Sequence, residues 1–137
     1  MAIYHMQAKV VSRSSGRSAV AASAYMSCSR MFNDYDGIQH DYTKKHGLIY
    51  QNVMLPPMAP SEWNDREQLW NAVEEAEKTK DSRLAREFVV ALPVELDKDS
   101  NISLLQDFIQ KNFVDMGMCA DFAIHDTDGH NPHAHIL

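Results

Sequence analysis

Three histidines near the end of the chain have the spacing that says most about chemistry. His133 and His135 lie in the segment His-Ala-His-Ile-Leu, and alternate residues of a β-strand point to the same face. His125 ends the preceding apolar segment, and the polar loop that follows can fold back and bring its ring to the same place. Neutral imidazoles bind divalent first-row metals, so this spacing predicts one metal ion with positions left open for a substrate. The alternative interpretation is a polar surface hairpin in which the histidines are incidental.

The ligand chemistry limits the metal and the pH range. Three neutral imidazoles would accept Zn²⁺, Co²⁺ or Ni²⁺. Only unprotonated rings bind a metal, so we expect binding to weaken below about pH 6. In the loop between the histidines, His130 is interpreted as a turn or surface residue. Asp126 and Asp128 either orient an imidazole or form the turn.

Tyr25 is the second candidate, because it lies among small residues in a basic part of the chain. The whole chain has 13 basic and 19 acidic residues and a net charge of −6, which argues against nucleic-acid binding. Residues 1–33, however, include no Asp or Glu. Their basic residues are Lys9, Arg13, Arg17 and Arg30. We predict a local basic face for a phosphate chain beside the Tyr25 hydroxyl; the alternatives are a core tyrosine and a chance cluster of charges.

Glu87 is the third candidate, and its sequence context leaves two interpretations open. In the strand-like segment 84–92 it shares a face with Ala85, Val89 and Ala91. A carboxylate among small apolar residues either lies at a strand end in water or is held next to a cation. The pattern does not choose between these two places.

Interleaved strands and helices must position these candidates. Alternating apolar residues predict strands over 2–12, 38–42, 47–55, 84–92, 121–125 and 133–137. Apolar residues at helical spacing predict helices over 19–31 with Ser18 as cap, over 61–80 with Ser61 as cap, and over 100–116. The short connection between the last two strands indicates a hairpin. The predicted fold class is therefore α+β, a central antiparallel sheet with flanking helices.

The second predicted helix also carries an acidic face. Its carboxylates are interpreted as a solvated surface, and they are Glu67, Glu74, Glu75 and Glu77.

Length and composition indicate one domain over residues 1–137, 45% of them apolar and 23% charged. The chain has no run of about 18 apolar residues and no signal peptide, so we expect a cytoplasmic protein without a membrane segment. Cys28 and Cys119 fit neither a disulfide framework nor a zinc ribbon. Because the final strand-like segment has nothing after it, we expect an N-terminal fragment of a longer protein.

Three motifs follow one another along the chain in a specific order. They are Arg-Ser-Ala-Val-Ala-Ala-x-Ala-Tyr, Ala-Arg-Glu-Phe-Val-Val-Ala-Leu-Pro, and His-x-Asp-x-Asp-Gly-x-Asn-Pro-His-Ala-His-Ile-Leu. Together they resemble the MobA/MobL family of plasmid mobilisation relaxases, which are HUH endonucleases, and the likeness covers residues 3–137. The resemblance implies a central antiparallel sheet with flanking helices. It also implies an enzyme that nicks one DNA strand at an origin of transfer and remains attached through a phosphotyrosine.

The resemblance implies a role for each motif residue. Tyr25 matches the nucleophile, which would form a 5′-phosphotyrosine and release a 3′-hydroxyl. Glu87 matches a glutamate with a base-like or metal-proximal role. The three candidate histidines match the metal ligands, for which Mn²⁺ or Mg²⁺ is expected: His125, His133 and His135.

The resemblance also implies DNA contacts. Arg13 and Arg17 match the basic loop before the tyrosine helix, and Lys9 from the same acid-free segment is a third predicted contact. Met26 stands where relatives often have Arg, so the DNA contact of that arginine is not among the expected contacts. The expected partners are single-stranded DNA at an origin of transfer and accessory relaxosome proteins. The remaining tyrosines are interpreted as structural, and they are Tyr4, Tyr35, Tyr42 and Tyr50.

Three alternative functions fit parts of the same pattern. A rolling-circle replication initiator would use the same chemistry on a different DNA site. A histidine-triad nucleotide hydrolase needs His-x-His-x-His, but Leu137 occupies the third place here. A non-catalytic module that is stabilised by a metal would bind DNA without cutting it.

Overall fold

The computed structural model describes residues 6–127, 129 and 131–137, and seven strands lie in this part of the chain. In chain order they are β1 (Met6–Ser12), β2 (Arg30–Asn33), β3 (Ile38–Asp41), β4 (Leu48–Met54), β5 (Arg83–Ala91), β6 (Ala120–His125) and β7 (His133–Ile136). The α-helices of the same part are α1 (Ala19–Ser27), α2 (Arg66–Ala76) and α3 (Lys98–Asn112). Residues 2–5 of the first predicted strand, which include Tyr4, lie outside the described residues. The same holds for two residues of the predicted polar loop, Asp128 and His130.

The central sheet is antiparallel throughout and has the strand order β1-β5-β7-β6-β4. Strands β2 and β3 form a separate antiparallel pair that packs against α1. The sheet with its flanking helices confirms the predicted α+β class. No helix of the described chain is both long enough and apolar enough to cross a membrane.

Each face of the sheet has its own apolar core. Helices α1 and α2 cover one face, where Val20 and Trp70 pack with Ala123 of β6. Helix α3 covers the other face, where Leu105 packs with Phe122, the neighbour of Ala123 on the same strand. Because successive strand residues point to opposite faces, the sheet is buried on both sides.

Helix α1 is shorter than predicted, and the prediction of a helix to Met31 was wrong. The backbone turns left-handed at Cys28, with φ of 53°, and this ends the helix at Ser27. The residues that follow form β2, in which exposed and buried residues alternate. Neither Gly nor Pro marks this boundary, so the sequence carried no ordinary stop signal.

The other two helices were predicted in the right places but with wrong boundaries. Residues 61–64 form a 3₁₀ turn, and α2 starts after Asp65, whose side chain accepts a hydrogen bond from the Glu67 amide. Helix α3 starts two residues earlier than predicted because Asp97 caps it through the Ser100 amide at 2.7 Å. It ends at Asn112, and a 3₁₀ turn follows.

Candidate functional site

The three histidines of the final hairpin lie together on the face that α1 covers. His125 of β6 is directly opposite His133 of β7, and His135 is opposite Ala123. The ring centres of His125 and His135 are 5.1 Å apart, those of His133 and His135 are 5.2 Å apart, and those of His125 and His133 are 6.2 Å apart. Antiparallel pairing thus brings together the residues that the strand pattern singled out.

Hydrogen bonds to backbone carbonyls orient two of these rings. Nε2 of His125 lies 2.6 Å from the Met26 carbonyl oxygen, and Nδ1 of His133 lies 2.9 Å from that of Asn131. A carbonyl oxygen only accepts, so each of these nitrogens carries the proton. Nδ1 of His125 and Nε2 of His133 therefore keep a free lone pair, the arrangement found in metal-binding histidines.

The donor set fits a divalent metal, although the rings have to turn to share one ion. A metal–nitrogen bond of about 2 Å places the ring centres of two ligands about 5 Å apart. Two of the three separations match that spacing, but the rings of His125 and His133 are wider apart and nearly parallel, at 26°. Accordingly, no three His, Cys, Asp or Glu side chains of the described residues form a ready-made metal site.

Burial favours the neutral form of two of these rings, His125 and His135. The pKa of His135 is lowered from 6.5 to about 4, mainly by burial and also by the neighbouring His125 and His133, whereas the charge of Glu87 acts in the opposite direction. Burial also lowers the pKa of His125, although its hydrogen bond to Met26 acts in the opposite direction. His125 and His135 therefore stay neutral to a lower pH than an ordinary histidine.

The lowered pKa of His135 predicts a loss of stability in acid. Between pH 6.5 and about 4 the unfolded chain binds a proton that folded His135 does not, so the free energy of unfolding falls as the pH decreases through this window. Urea denaturation of the metal-free protein at pH 7, 6 and 5 measures the fall. In His135→Gln, which cannot titrate, the dependence should be shallower. An equally steep dependence in this variant would contradict the assignment.

Helix α1 is attached to the rest of the protein at its start by a buried carboxylate. Oε2 of Glu74 accepts hydrogen bonds from the Ser18 hydroxyl at 2.8 Å and from the Val20 amide at 3.1 Å. Glu74 is 2% exposed, so its predicted place on a solvated face was wrong. A negative charge at a helix N-terminus is stabilised by the exposed amides there. Glu74 thus anchors the helix that carries Tyr25.

Further along, α1 is attached to the sheet by a second buried carboxylate. Asp121 of β6 is fully buried and accepts hydrogen bonds from Ser23 of α1 at 2.5 Å and from Trp70 of α2 at 2.9 Å. Arg66 of α2 completes the network with an ion pair at 3.0 Å. At the last turn, the Met26 carbonyl meets His125, while the Met26 side chain is buried in the core. The end of α1 is therefore held against the histidine cluster.

Tyr25 is the exposed residue of this last turn, with half of its surface in solvent. Its ring meets the edge of Tyr42 at a centre distance of 5.2 Å, and the Lys45 ammonium lies 3.4 Å from its centre. A cavity of about 510 Å³ opens beside the ring, and Arg17 and Glu87 also line it. The cavity leaves this side of the tyrosine open to solvent.

Glu87 is held next to a cation, one of the two places that its sequence context left open. Its Oε1 accepts a hydrogen bond from Arg17 at 3.1 Å, and this ion pair lies at the cavity. Glu87 is on the same face of the sheet as His135, since Val89, two residues further on β5, is paired with His135. Lys9 is exposed on β1 directly opposite Glu87. Arg17 and Lys9 thus bring positive charge to this face.

Arg13 is used inside the protein, and the structure does not support its predicted phosphate contact. Its side chain is 9% exposed and forms an ion pair with Glu74 at 3.3 Å. Its guanidinium also donates to the carbonyl of Glu74 in the last turn of α2 and to those of Glu77 and Thr79 just after the helix. The last carbonyls of a helix have no partner within it, so Arg13 supplies a donor to this end of α2.

Sequence reasoning missed the residues that the β2–β3 pair and the following loop bring to Tyr25. Tyr42 was interpreted as structural and Lys45 was not singled out, yet both contact the Tyr25 ring. His40, paired with Asp36 at 3.4 Å, lines the same cavity. Because a helix was predicted to continue to Met31, strand β2 was not recognised. The sequence analysis therefore did not predict that this segment folds back onto α1.

Comparison with known proteins gives consistent matches along the whole chain. A model of the MobA/MobL family matches residues 17–137. The chain is 41% identical over 148 residues to "Conjugal transfer protein TraA" of Agrobacterium fabrum, and this alignment covers 100% of this chain and 13% of that protein. It is 38% identical over 125 residues to "Mobilization protein MobL" of Acidithiobacillus ferridurans, which covers 91% of this chain and 32% of that one. The chain thus spans at most about a third of these relatives.

A solved structure has the same architecture. It is described as "Molecular Basis of Vancomycin Resistance Transfer in Staphylococcus aureus", and it superimposes with a TM-score of 0.93 at 41% identity. The superposition covers 99% of this chain and 69% of that chain. The likeness extends to the strands and helices that position the histidine cluster and Tyr25.

Proposed function

Because the chain belongs to the MobA/MobL family, we propose that it nicks and rejoins one strand of DNA at an origin of transfer, with Tyr25 as the nucleophile. Such an activity would initiate the transfer of a plasmid between cells. Single-stranded DNA is the proposed substrate, and accessory relaxosome proteins are proposed partners. The names of the relatives, a conjugal transfer protein and a mobilisation protein, support this proposal.

One observation carries the proposal: the hydrogen bond between His125 and the carbonyl of Met26, the residue next to Tyr25. This bond joins the exposed tyrosine and the histidine cluster into one site. Each feature alone has an ordinary structural explanation. Together they would supply the proposed nucleophile, the proposed metal ligands and an open cavity for the substrate.

The proposed reaction is a transesterification. The Tyr25 phenolic oxygen, after losing its proton to a base or to water, forms a bond to the scissile phosphorus. The bond from phosphorus to the 3′-oxygen breaks, and that oxygen takes up a proton to become a free 3′-hydroxyl. The product is a 5′-phosphotyrosine, in which one phosphodiester has replaced another. The 3′-hydroxyl can therefore reverse the step and rejoin the strand.

The three histidines are the proposed metal ligands, with Mn²⁺ or Mg²⁺ as the first proposal and Zn²⁺, Co²⁺ or Ni²⁺ as alternatives that imidazoles accept. When bound, the ion would supply positive charge for the non-bridging oxygens of the phosphate. Arg17 is the proposed protein cation for the same phosphate, since its side chain is more than one third exposed at the cavity. Glu87 would hold Arg17 in place until the phosphate arrives.

Covalent trapping tests the proposal. The protein is incubated with a single-stranded oligonucleotide from an origin of transfer and Mn²⁺, and a denaturing gel then shows whether an adduct of protein and DNA has formed. A non-catalytic DNA-binding module would give no adduct, and a nucleotide hydrolase would act on free nucleotides without forming one. A rolling-circle initiator would form its adduct on an oligonucleotide from a replication origin instead.

The two arginines of the loop before α1 are expected to differ. Arg13→Ala leaves the buried carboxylate of Glu74 without its cation, so the free energy of unfolding should fall by about 3 kcal/mol. Arg17→Ala removes a partly exposed cation, so stability should change by less than about 1 kcal/mol. Its affinity for single-stranded DNA should fall, and the slope of log affinity against log salt should become shallower by about 0.7.

Urea denaturation and fluorescence anisotropy with a labelled oligonucleotide measure the two effects. Arg17→Lys keeps the charge and serves as the control for the salt slope. If Arg13→Ala and Arg17→Ala lost the same DNA affinity and had the same stability, the structural role of Arg13 and the DNA-binding role of Arg17 would both be contradicted.

A further inference from the structure

The Lys45 side chain contacts the proposed nucleophile twice. Its Nζ lies 3.4 Å from the centre of the Tyr25 ring and donates a hydrogen bond to the Tyr25 carbonyl oxygen at 3.0 Å. A cation over an aromatic face is attracted by the negative charge of the ring surface. The ring of Tyr25 is therefore held against its own backbone by a single ammonium group.

A short turn after β3 brings Lys45 to this position. Oδ1 of Asp41 accepts hydrogen bonds from the amide of Thr43 at 2.9 Å and from its hydroxyl at 2.6 Å. The Lys45 amide donates to the Tyr42 carbonyl at 3.1 Å, which closes the turn. The Tyr42 amide donates to the carbonyl of Ser29, just after α1, at 3.0 Å. The loop is thus attached to the end of the helix that carries Tyr25.

Tyr42 also packs against the ring of Tyr25. The planes of Tyr25 and Tyr42 meet at 80° with their centres 5.2 Å apart, the edge-to-face geometry that aromatic pairs favour. Contacts from Lys45 and Tyr42 therefore restrict a side chain that is otherwise half in solvent. The packing leaves the phenol reachable from the cavity, which Tyr25 and Tyr42 both line.

The Lys45 charge also reaches the histidine cluster. The Nζ of Lys45 donates to the Tyr25 carbonyl, and the ring of His125 contacts the carbonyl of the next residue, Met26, so both groups lie at the same end of α1. An ammonium has three donors, and one of them is used on the Tyr25 carbonyl. The ammonium therefore brings a positive charge and two further donors to the end of α1 that contacts the histidine cluster.

We propose that Lys45 is a positioning residue for Tyr25. Lys45 holds the phenol ring in the orientation for attack and places a positive charge beside the incoming phosphate. The proposal rests on the proposed function, in which Tyr25 is the nucleophile. A nucleophile that is held within bonding distance and direction reacts much faster than one that is free to rotate, and a displacement of about 1 Å can lower the rate about 100-fold.

Two substitutions at Lys45 and one at its neighbour test the proposal. Lys45→Met keeps the length of the side chain and removes its charge, and Lys45→Arg restores a cation that can lie over the ring. Lys44→Met is the matched control, because Lys44 is the exposed lysine next to Lys45 in the same turn. The measurements are the single-turnover rate of adduct formation at saturating DNA and the dissociation constant for the same oligonucleotide.

We expect Lys45→Met to lower the saturated rate by about 10- to 100-fold, whereas the dissociation constant changes by less than about 3-fold. Lys45→Arg should recover the rate to within about 3-fold, and Lys44→Met should leave it unchanged. An unchanged rate in Lys45→Met would overturn the proposal. A loss confined to the dissociation constant, or a failure of Lys45→Arg to rescue the rate, would overturn it as well.

A spectroscopic measurement separates this proposal from the proposed function. In protein labelled with 3-fluorotyrosine, the ¹⁹F resonance of Tyr25 is the one that is lost in Tyr25→Phe. Lys45→Met should shift this resonance, and Lys44→Met should not. If the wild-type protein forms no adduct but Lys45→Met still shifts the Tyr25 resonance, the nicking function is contradicted and the contact between Lys45 and the Tyr25 ring is supported. A resonance that does not move in Lys45→Met overturns the positioning role, whatever the activity.

Discussion

Replacing Tyr25 by Phe is expected to abolish the covalent adduct with DNA and to lower strand cleavage by at least about 10³-fold. The substitution removes the single oxygen that would attack the phosphorus and keeps the ring. The contacts of the ring with Tyr42 and Lys45 are therefore preserved. Folding and DNA binding should survive, because half of the side chain is in solvent and its hydroxyl is not needed to fill the core. Gel analysis of the adduct and anisotropy of a labelled oligonucleotide measure the two properties.

Two other tyrosines provide matched controls. Tyr35 packs under the guanidinium of Arg13, and Tyr50 packs against Phe122, so neither belongs to the cavity beside Tyr25. Tyr35→Phe and Tyr50→Phe should leave cleavage largely intact. Mass spectrometry of the trapped adduct identifies the modified residue. A nucleotide on a tyrosine other than Tyr25 would refute the assigned mechanism.

Removal of two histidines from the final hairpin is expected to cause the second large effect. His133→Ala combined with His135→Ala should lower the affinity for Mn²⁺ by more than about 100-fold, because a single imidazole of the cluster remains. Calorimetry with the metal alone measures the affinity without any need for DNA. Cleavage should be lost in the same variant.

The control for this experiment is a histidine of another element. His40 of the β2–β3 pair lines the cavity beside Tyr25 but is not one of the three hairpin histidines, so His40→Ala should leave the affinity for the metal unchanged. Undiminished affinity in the double variant would remove the metal assignment.

The distances between the ring centres also predict a structural change. When the metal binds, the ring of His125 or that of His133 should turn, because their present separation of 6.2 Å is the largest of the three.

Local patterns determined the parts of the site that lie close together along the chain. The three histidines belong to one hairpin, so strand alternation and a short polar loop were enough to predict that their rings meet. The same alternation predicted the α+β sheet, because the pattern of apolar residues along a strand shows which of its faces are buried. The nucleophile was different, since a tyrosine on a helix of small residues has a common structural explanation, and the motif resemblance singled out Tyr25.

Charge placement was decided by the tertiary structure. Arg13 and Arg17 are four residues apart in one basic loop, yet one is buried against Glu74, 61 residues away, and the other faces the cavity beside Glu87, 70 residues away. Glu74 had the sequence context of a solvated helix face, and it became the anchor of α1. Lys45 gained its place over Tyr25 because the chain after α1 folds back as β2 and β3.

The physical reason is the range of the interactions involved. Apolar periodicity reports which side of a strand or helix is buried, and it can be read within about ten residues. Whether a charged side chain is buried depends on which partner the fold brings near it, since a charge leaves water only when another group compensates it. The sequence by itself therefore determined the sheet, the histidine cluster and the candidate tyrosine. The tertiary structure alone decided which cations support the fold and which face the site.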